Sequence, residues 1–353
     1  MNSLASRLVP EAVKKLIPYQ SARRIGGTGH LWLNANELEQ SCQYGEHRGS
    51  YNRYPDFLPY DLAKAYKEYC GVNNEILAVR GADEAIDLLV RTFCQPGVDQ
   101  IVVCPPTYGM YPFCADSMAV NTVKVPLLDN FQLDLNAIKQ KLATTNILFL
   151  CSPNNPTGNL IRQQDIVTLL EAGKDSTLVV VDEAYIEFAP ETSVVNLITD
   201  HPNLVVIRTL SKAFGLAAIR CGFLIAEPSV IEYVSRLIAP YPIADPTAEI
   251  ALDALSPQGV EQMRIQTDTL ISTREWFARE LKTLPVVDQV YPSSTNFVLV
   301  RFNPSRSIYE KLMSHGIVTR DQAHEPMLQD CVRISIGTKR SMLETLNTLN
   351  NLQ

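Results

Sequence analysis

The chain has 353 residues, too many for one small core, and this length predicts two or three domains. A charged fraction of 20% and a hydrophobic fraction of 46% are those of an ordinary soluble globular protein. The net charge of −7 gives no footing for binding nucleic acid or an anionic membrane, so an anionic ligand requires local arginines.

Residues 1–30 show no strong core pattern, but the segment IPYQSARR at 17–24 joins a proline turn, an aromatic and two arginines. It reads as an arm lying over another surface. LWLNANE (31–37) is a short strand ending in polar residues, and NRYPD (52–56) is a turn from which Tyr54 projects, Pro55 holding it extended. A helix and the brief strand ILAV follow within 62–79. In RGADEAIDLLVRTFC the apolar residues Ile86, Leu89, Val90 and Phe93 recur at helical spacing, which places Gly81, Ala82 and Asp83 at a helix start. Free N–H groups and the helix dipole make such a start an anion site, although most helix starts bind nothing.

QIVVCPPTYGMY (100–111) is a strand ending in a proline-stiffened loop with Tyr108, an aromatic able to stack on a flat ring or to fill a core edge. The strand ILFLC (147–151) ends in SPNNPTG, where two prolines and a glycine hold the Asn155 amide in place. In TLVVVDEAYIEF (177–188), Asp182 and Tyr185 follow an apolar run. A carboxylate there is costly without a cationic or N–H partner, and a pyridinium nitrogen would serve. LVVIRTLSKAFGLAAIRCG (204–222) brings Ser211 and Lys212 to another strand end, with Arg220 eight residues on. In an open α/β sheet the crevice beyond the strand ends binds ligands. An amine able to form a Schiff base, a hydroxyl and a guanidinium could there hold a phosphorylated aldehyde; taken alone, the stretch equally fits a surface lysine after a strand.

Strands alternating with helices predict a mostly parallel sheet with helices on both faces. From about residue 265 the pattern changes to an amphipathic helix (267–281), NFVLVRF, a helix at 307–315, HGIVTRD and CVRISIGT. This order predicts a smaller α+β domain whose Arg320 and Arg333 face the cleft. The expected division is an arm at 1–30, a large domain at 31–264 and a small one at 265–353. The eight cysteines lack a C-x-x-C pair or a histidine at metal spacing, so buried reduced thiols and no metal are expected. Without a signal-peptide core or an apolar run near the roughly 20 residues that cross a bilayer, a cytoplasmic protein without a membrane partner is expected.

Asn155, the Asp182/Tyr185 pair, Ser211-Lys212 and Arg220 occur in an order that resembles the fold-type-I pyridoxal-phosphate enzymes of the aspartate aminotransferase superfamily. Their S-P-N-N-P-T-G, D-E-A-Y and S-K-x(7)-R elements are all present. Together with PYQSARR, LNANE, NRYPD, RGADE, CPPTYGMY and VRISIGT, the resemblance covers nearly the whole chain and narrows to the bacterial histidinol-phosphate aminotransferase family. It implies an aspartate aminotransferase-like fold, with amino transfer between L-histidinol phosphate and 2-oxoglutarate that yields imidazole-acetol phosphate and glutamate in histidine biosynthesis. It further implies pyridoxal 5′-phosphate held as an internal aldimine on Lys212, which also moves the substrate proton. Asp182 would face the pyridine nitrogen, Tyr185 and Asn155 the ring 3′-oxygen, and Tyr108 the ring face. Ser211, Arg220 and the amides of Ala82 and Asp83 would take the phosphate. Tyr54 would come from the partner subunit of a homodimer with shared active sites. Arg333 would pair with the substrate carboxylate or phosphate, with Arg320, Tyr19 and Asn34 nearby.

Two positions depart from the family pattern. Ala218 and Ile219 stand before Arg220 where glycine and leucine are usual, and Leu38 and Glu39 follow LNANE where an aromatic and proline are usual. The second departure touches the substrate mouth. Alternative readings are a threonine-phosphate decarboxylase-like lyase and a broader aromatic aminotransferase on the same scaffold. A non-catalytic aminotransferase-like module, as in some transcription regulators, would need an attached basic helix-turn-helix segment, which this acidic chain is not expected to carry.

Overall fold

The structure, a computed structural model, describes residues 3–16, 51–303 and 305–351. Tyr19, Asn34, the strand expected at 31–37 and the departures at Leu38 and Glu39 lie outside the described residues.

A large sheet carries seven strands, β1 (Glu75–Val79), β2 (Gln100–Val103), β3 (Asn121–Lys124), β4 (Ile147–Cys151), β5 (Leu178–Asp182), β6 (Leu204–Thr209) and β7 (Gly222–Ala226), in the order β1-β7-β6-β5-β4-β2-β3. Pairing is parallel from β6 through β5, β4 and β2 to β3, and β7 runs antiparallel to both β6 and β1. The expected mostly parallel sheet is therefore present. The carboxyl ends of β1, β2, β4, β5 and β6 emerge along one edge, where β7 begins.

The central strands are continuous apolar runs because both of their faces are covered. Along β4, Leu148 and Leu150 enter one core while Ile147, Phe149 and Cys151 enter the other, the period-2 alternation of a pleated strand. The first core is closed by α3 (Tyr60–Cys70), α6 (Leu135–Leu142), α7 (Gln163–Gly173) and α9 (Asp245–Leu255). The second is closed by α1 (Leu4–Leu8), α4 (Ala82–Phe93), α5 (Met110–Ser117) and α8 (Pro228–Leu237), with α2 (Glu11–Lys14) beside α8. Leu4, Ala5 and Val9 are buried in that second core, so the first residues carry an apolar face that their sequence pattern did not disclose. The seven cysteines among the described residues are free thiols, all but Cys70 fully buried, as expected.

A second, antiparallel sheet has the order β10-β11-β9-β8, from β8 (Val287–Val290), β9 (Phe297–Phe302), β10 (Arg320–Asp321) and β11 (Cys331–Ser335). Val298, Val300, Val332 and Ile334 pack under α10 (Pro257–Leu281), α11 (Ser305–Ser314) and α12 (Lys339–Asn350). Leu299 and Cys331, on the other face, join the core of the large sheet. The helix expected to begin near Thr267 begins ten residues earlier. Ser256 caps it by accepting from the Gly259 N–H at 3.2 Å and Pro257 occupies its first position, a start signal that the search for apolar spacing passed over. Strand β8 was also not anticipated, its middle residues being exposed and polar.

A buried polar cluster lies between α3, β6 and the turn after β5. Arg208 donates to Glu183 at 2.9 Å, to the Ser193 hydroxyl at 2.7 Å and to the Cys70 sulfur at 3.2 Å. Its donors are thus committed, and both Glu187 carboxyl oxygens lack a hydrogen-bond partner among the described residues. Burial pushes the Glu187 carboxyl up to about 7, the Arg208 cation opposing it. A carboxyl raised above its unfolded value binds its proton more tightly when folded, so its penalty is absent at acid pH and grows as pH rises towards 7. Between pH 5 and 8, Glu187→Gln is expected to flatten the fall in unfolding free energy by about 3 kcal/mol. Thermal melts at several pH values measure this; parallel curves for variant and parent would refute it.

Candidate active site

Along the shared strand edge a single cavity of about 570 Å³ opens. Asp182 closes β5 there, opposite Cys151 on one side and Ile207 on the other. Thr209 and Val79 both pair with Gly222, the first residue of β7. A Cβ on Gly222 would lie 2.6 Å from the Gly81 carbonyl carbon, so glycine is what lets β7 approach the start of α4. Gly81 has φ +83°, and a Cβ on it would lie 2.7 Å from Arg220 Nη2. No side chain caps α4, which leaves its first N–H groups facing the cavity edge formed by Ala82 and Asp83.

Arg220, itself left-handed at φ +54°, sits over Gly81 with Nη2 3.4 Å from the Asp83 carboxylate. The Tyr108 hydroxyl donates to the other Asp83 oxygen at 2.9 Å. Asp83 was expected to offer its backbone N–H; its side chain in addition ties together the arginine and the tyrosine. Ser211 joins this corner through Thr209, whose hydroxyl donates to Ser211 Oγ at 2.9 Å. Ala218 is exposed in the short 3₁₀ turn before Arg220 and is not among the cavity-lining residues, so this departure leaves the corner intact.

Asp182 is buried. Tyr111 donates to its Oδ2 at 2.8 Å and the Ala184 N–H donates to its Oδ1 at 3.0 Å. No cation lies within ion-pair distance of it among the described residues, and burial pushes it up to about 6 despite those two donors. Lys212 reaches in from beyond β6, its Nζ 5.6 Å from the centre of the Tyr185 ring. Burial first, then the Arg333 cation, holds its amine below the ordinary lysine value, with Asp83 and Asp182 opposing. Tyr185 stands edge-on to Phe297 with ring centres 5.4 Å apart, and burial raises its phenol, keeping it a donor.

The small sheet supplies the cations. Arg320 on β10 pairs directly across from Arg333 on β11, and both line the cavity. Arg333 donates to Asn155 Oδ1 and lies 5.2 Å over the Phe297 ring. Burial holds its guanidinium below its ordinary value, and Arg320 adds to this while Tyr185 opposes it. Neither arginine forms an ion pair among the described residues, and two adjacent cations suit a multiply charged anion. Tyr54 does not line this cavity; it stacks on Tyr241 with ring centres 4.6 Å apart.

Ala82, Asp83, Tyr108, Asn155, Asp182, Tyr185, Ser211, Lys212, Arg220, Arg320 and Arg333 thus meet in one cavity. Gln322, His324 and Glu325 of the cavity lining were missed, as was Tyr111, which is buried behind Asp182. Gln322 lies two residues beyond Arg320, the spacing that could have disclosed it. The residues fit a flat phosphorylated ring with a basic nitrogen: a buried carboxylate and an amine that each lack an ion pair among the described residues, and a glycine-built corner of N–H groups, hydroxyl and guanidinium.

The profile of the family "Aminotransferase class I and II" matches residues 31–349. A histidinol-phosphate aminotransferase of Shigella boydii is 47% identical over 343 residues, covering 97% of this chain and 96% of that protein. Among solved structures, the histidinol-phosphate aminotransferase from Clostridium acetobutylicum superposes with a TM-score of 0.79 at 25% identity, over 86% of this chain and 91% of that one. The Sinorhizobium meliloti histidinol-phosphate aminotransferase in complex with pyridoxal-5′-phosphate gives 0.78 at 26% identity, over 86% and 84%.

Proposed function

We propose, from the premise that this chain belongs to the class I and II aminotransferases and within them to the histidinol-phosphate aminotransferases, that the cavity at the sheet edge transfers an amino group between L-histidinol phosphate and 2-oxoglutarate in histidine biosynthesis. The observation that carries this reading is the meeting of Asp182, Lys212, Arg320 and Arg333 in one cavity. The lyase and aromatic-aminotransferase alternatives are not favoured by relatives of this identity.

Pyridoxal 5′-phosphate, when bound, supplies an electron-withdrawing ring and carries the amino group between the two substrates. Lys212 would hold it covalently through Nζ, and its amine would take the proton from the substrate carbon and return it. Its lowered proton affinity supports this, because a larger share of the amine is free near neutral pH than in an exposed lysine. Asp182 would present an anion to the ring nitrogen, while Tyr185 and Asn155 would hydrogen-bond the ring oxygen. Tyr108 would stack on the ring, and Ser211, Arg220 and the Ala82 and Asp83 amides would hold the phosphate. Arg333 and Arg320 take the substrate carboxylate or phosphate, a planar fork suiting both.

Tyr54, placed outside its own chain's cavity, serves the partner's site in a homodimer. Tyr19 and Asn34 belong to the substrate mouth on the resemblance alone. The small unit begins within α10 in this reading, near residue 265; of the arm expected at 1–30, residues 17–30 lie outside the described residues.

Purified protein is expected to show a visible cofactor band that bleaches with L-histidinol phosphate and returns with 2-oxoglutarate. A band indifferent to histidinol phosphate would overturn the substrate assignment while leaving the cofactor assignment standing.

A further inference from the structure

We infer that Tyr111 is a positioning residue for the reaction: its hydroxyl holds Asp182 as an oriented anion, and through Asp182 sets where the proton on the cofactor's ring nitrogen resides. The inference rests on the proposed function above and deepens it.

Tyr111 is fully buried in the first turn of α5, with no solvent competing for its hydroxyl. Its ring lies parallel to Phe149 of β4, with centres 4.8 Å apart and planes 5° apart, which fixes its direction. It stands edge-on to Tyr108 at 5.7 Å. The hydroxyl then reaches Asp182 Oδ2 at 2.8 Å, an ordinary O–H···O hydrogen-bond distance. The Ala184 N–H holds Oδ1 at 3.0 Å, so each oxygen accepts one protein donor and keeps acceptor capacity towards the cavity.

One side chain therefore links the residue proposed to stack on the ring with the residue proposed to face its nitrogen. The remaining groups acting on Asp182 are Asp83 at the start of α4 and Lys212 beyond β6, of opposite sign, with the Cys151 thiol adjacent on β4. None of these donates a hydrogen bond to the carboxylate among the described residues. Without the Tyr111 hydroxyl the burial of Asp182 is offset by one hydrogen bond, from the Ala184 N–H, and by the more distant Lys212 cation. A carboxyl in that setting keeps its own proton, and the ring nitrogen loses one.

The test uses holoenzyme reconstituted with ¹⁵N-labelled pyridoxal phosphate. In Tyr111→Phe, which keeps the ring stack, the nitrogen resonance is expected to move towards that of neutral pyridine. The cofactor dissociation constant should rise and kcat fall by about tenfold each, with the KM for histidinol phosphate unchanged. Replacing Tyr111 by 3-fluorotyrosine, a stronger donor of nearly the same shape, should move the resonance the opposite way or leave it at the pyridinium position. A Tyr111→Phe protein with a lower melting temperature but an unchanged resonance and cofactor affinity would overturn the inference, as would shifts of the same sign in both variants. Parent protein that takes up no pyridoxal phosphate would instead refute the proposed function.

Discussion

Lys212→Ala is expected to lose transamination by about 10⁴-fold in kcat, the upper end of what a positioned acid–base group contributes, while still folding. The two halves of this expectation have separate grounds. Lys212 carries no ion pair among the described residues, and burial disfavours its charged form, so its removal takes away a strained cation and not a structural partner. Its neighbours keep their own contacts: Tyr185 against Phe297, Asp182 on Tyr111 and Ala184, Ser211 on Thr209. The melting temperature should therefore match or exceed that of the parent. Activity has no comparable substitute, because no second amine lines the cavity among the described residues. The cofactor should still bind through Asp182 and the phosphate corner, but without the covalent band and without exchange on adding substrate. Single-turnover kinetics and the absorption spectrum measure both. Steady turnover at more than a hundredth of the parental rate would remove Lys212 from the chemistry.

Arg333→Ala is expected to weaken kcat/KM for histidinol phosphate and for 2-oxoglutarate together, each by about 10²-fold, which corresponds to about 3 kcal/mol of lost charge-assisted binding. One guanidinium faces the cavity where the two substrates bind in turn, so one deletion should strike both half-reactions. Arg320 lies directly across the β10–β11 pair and retains part of the field, which limits the loss. Arg333→Lys should recover only a fraction, since an ammonium lacks the fork that donates to Asn155 and lies over Phe297. Separate kinetics of each half-reaction read the effect. Loss confined to one substrate would mean that the two anions are held by different residues.

Much of the large unit was legible in the chain itself. Apolar β-branched runs ending in polar residues located β2, β4, β5 and β6, because a strand buried on both faces leaves little freedom in composition. Ligand-type residues directly after those runs marked the edge of the sheet, and their order disclosed the family. Local signals failed where the stabilising partner is distant in sequence. Leu4, Ala5 and Val9 looked unremarkable until α8 and the second core were placed against them. The polar, half-exposed β8 acquires its identity only from pairing with β9.

Within the site the same division holds. Residue types at strand ends made Lys212, Asp182 and Asn155 candidates, with Arg220 eight residues beyond Lys212; their order, and the family resemblance it carries, gave them roles. Tertiary structure alone decided that Arg320 stands beside Arg333, through the register of β10 on β11. It alone brought the Asp83 carboxylate to Arg220 and Tyr108, and turned the Tyr111 hydroxyl onto Asp182, 71 residues away along the chain. A sequence displays which groups are available and the local periodicity that carries them; distances between groups on different elements follow from packing, which no single stretch encodes.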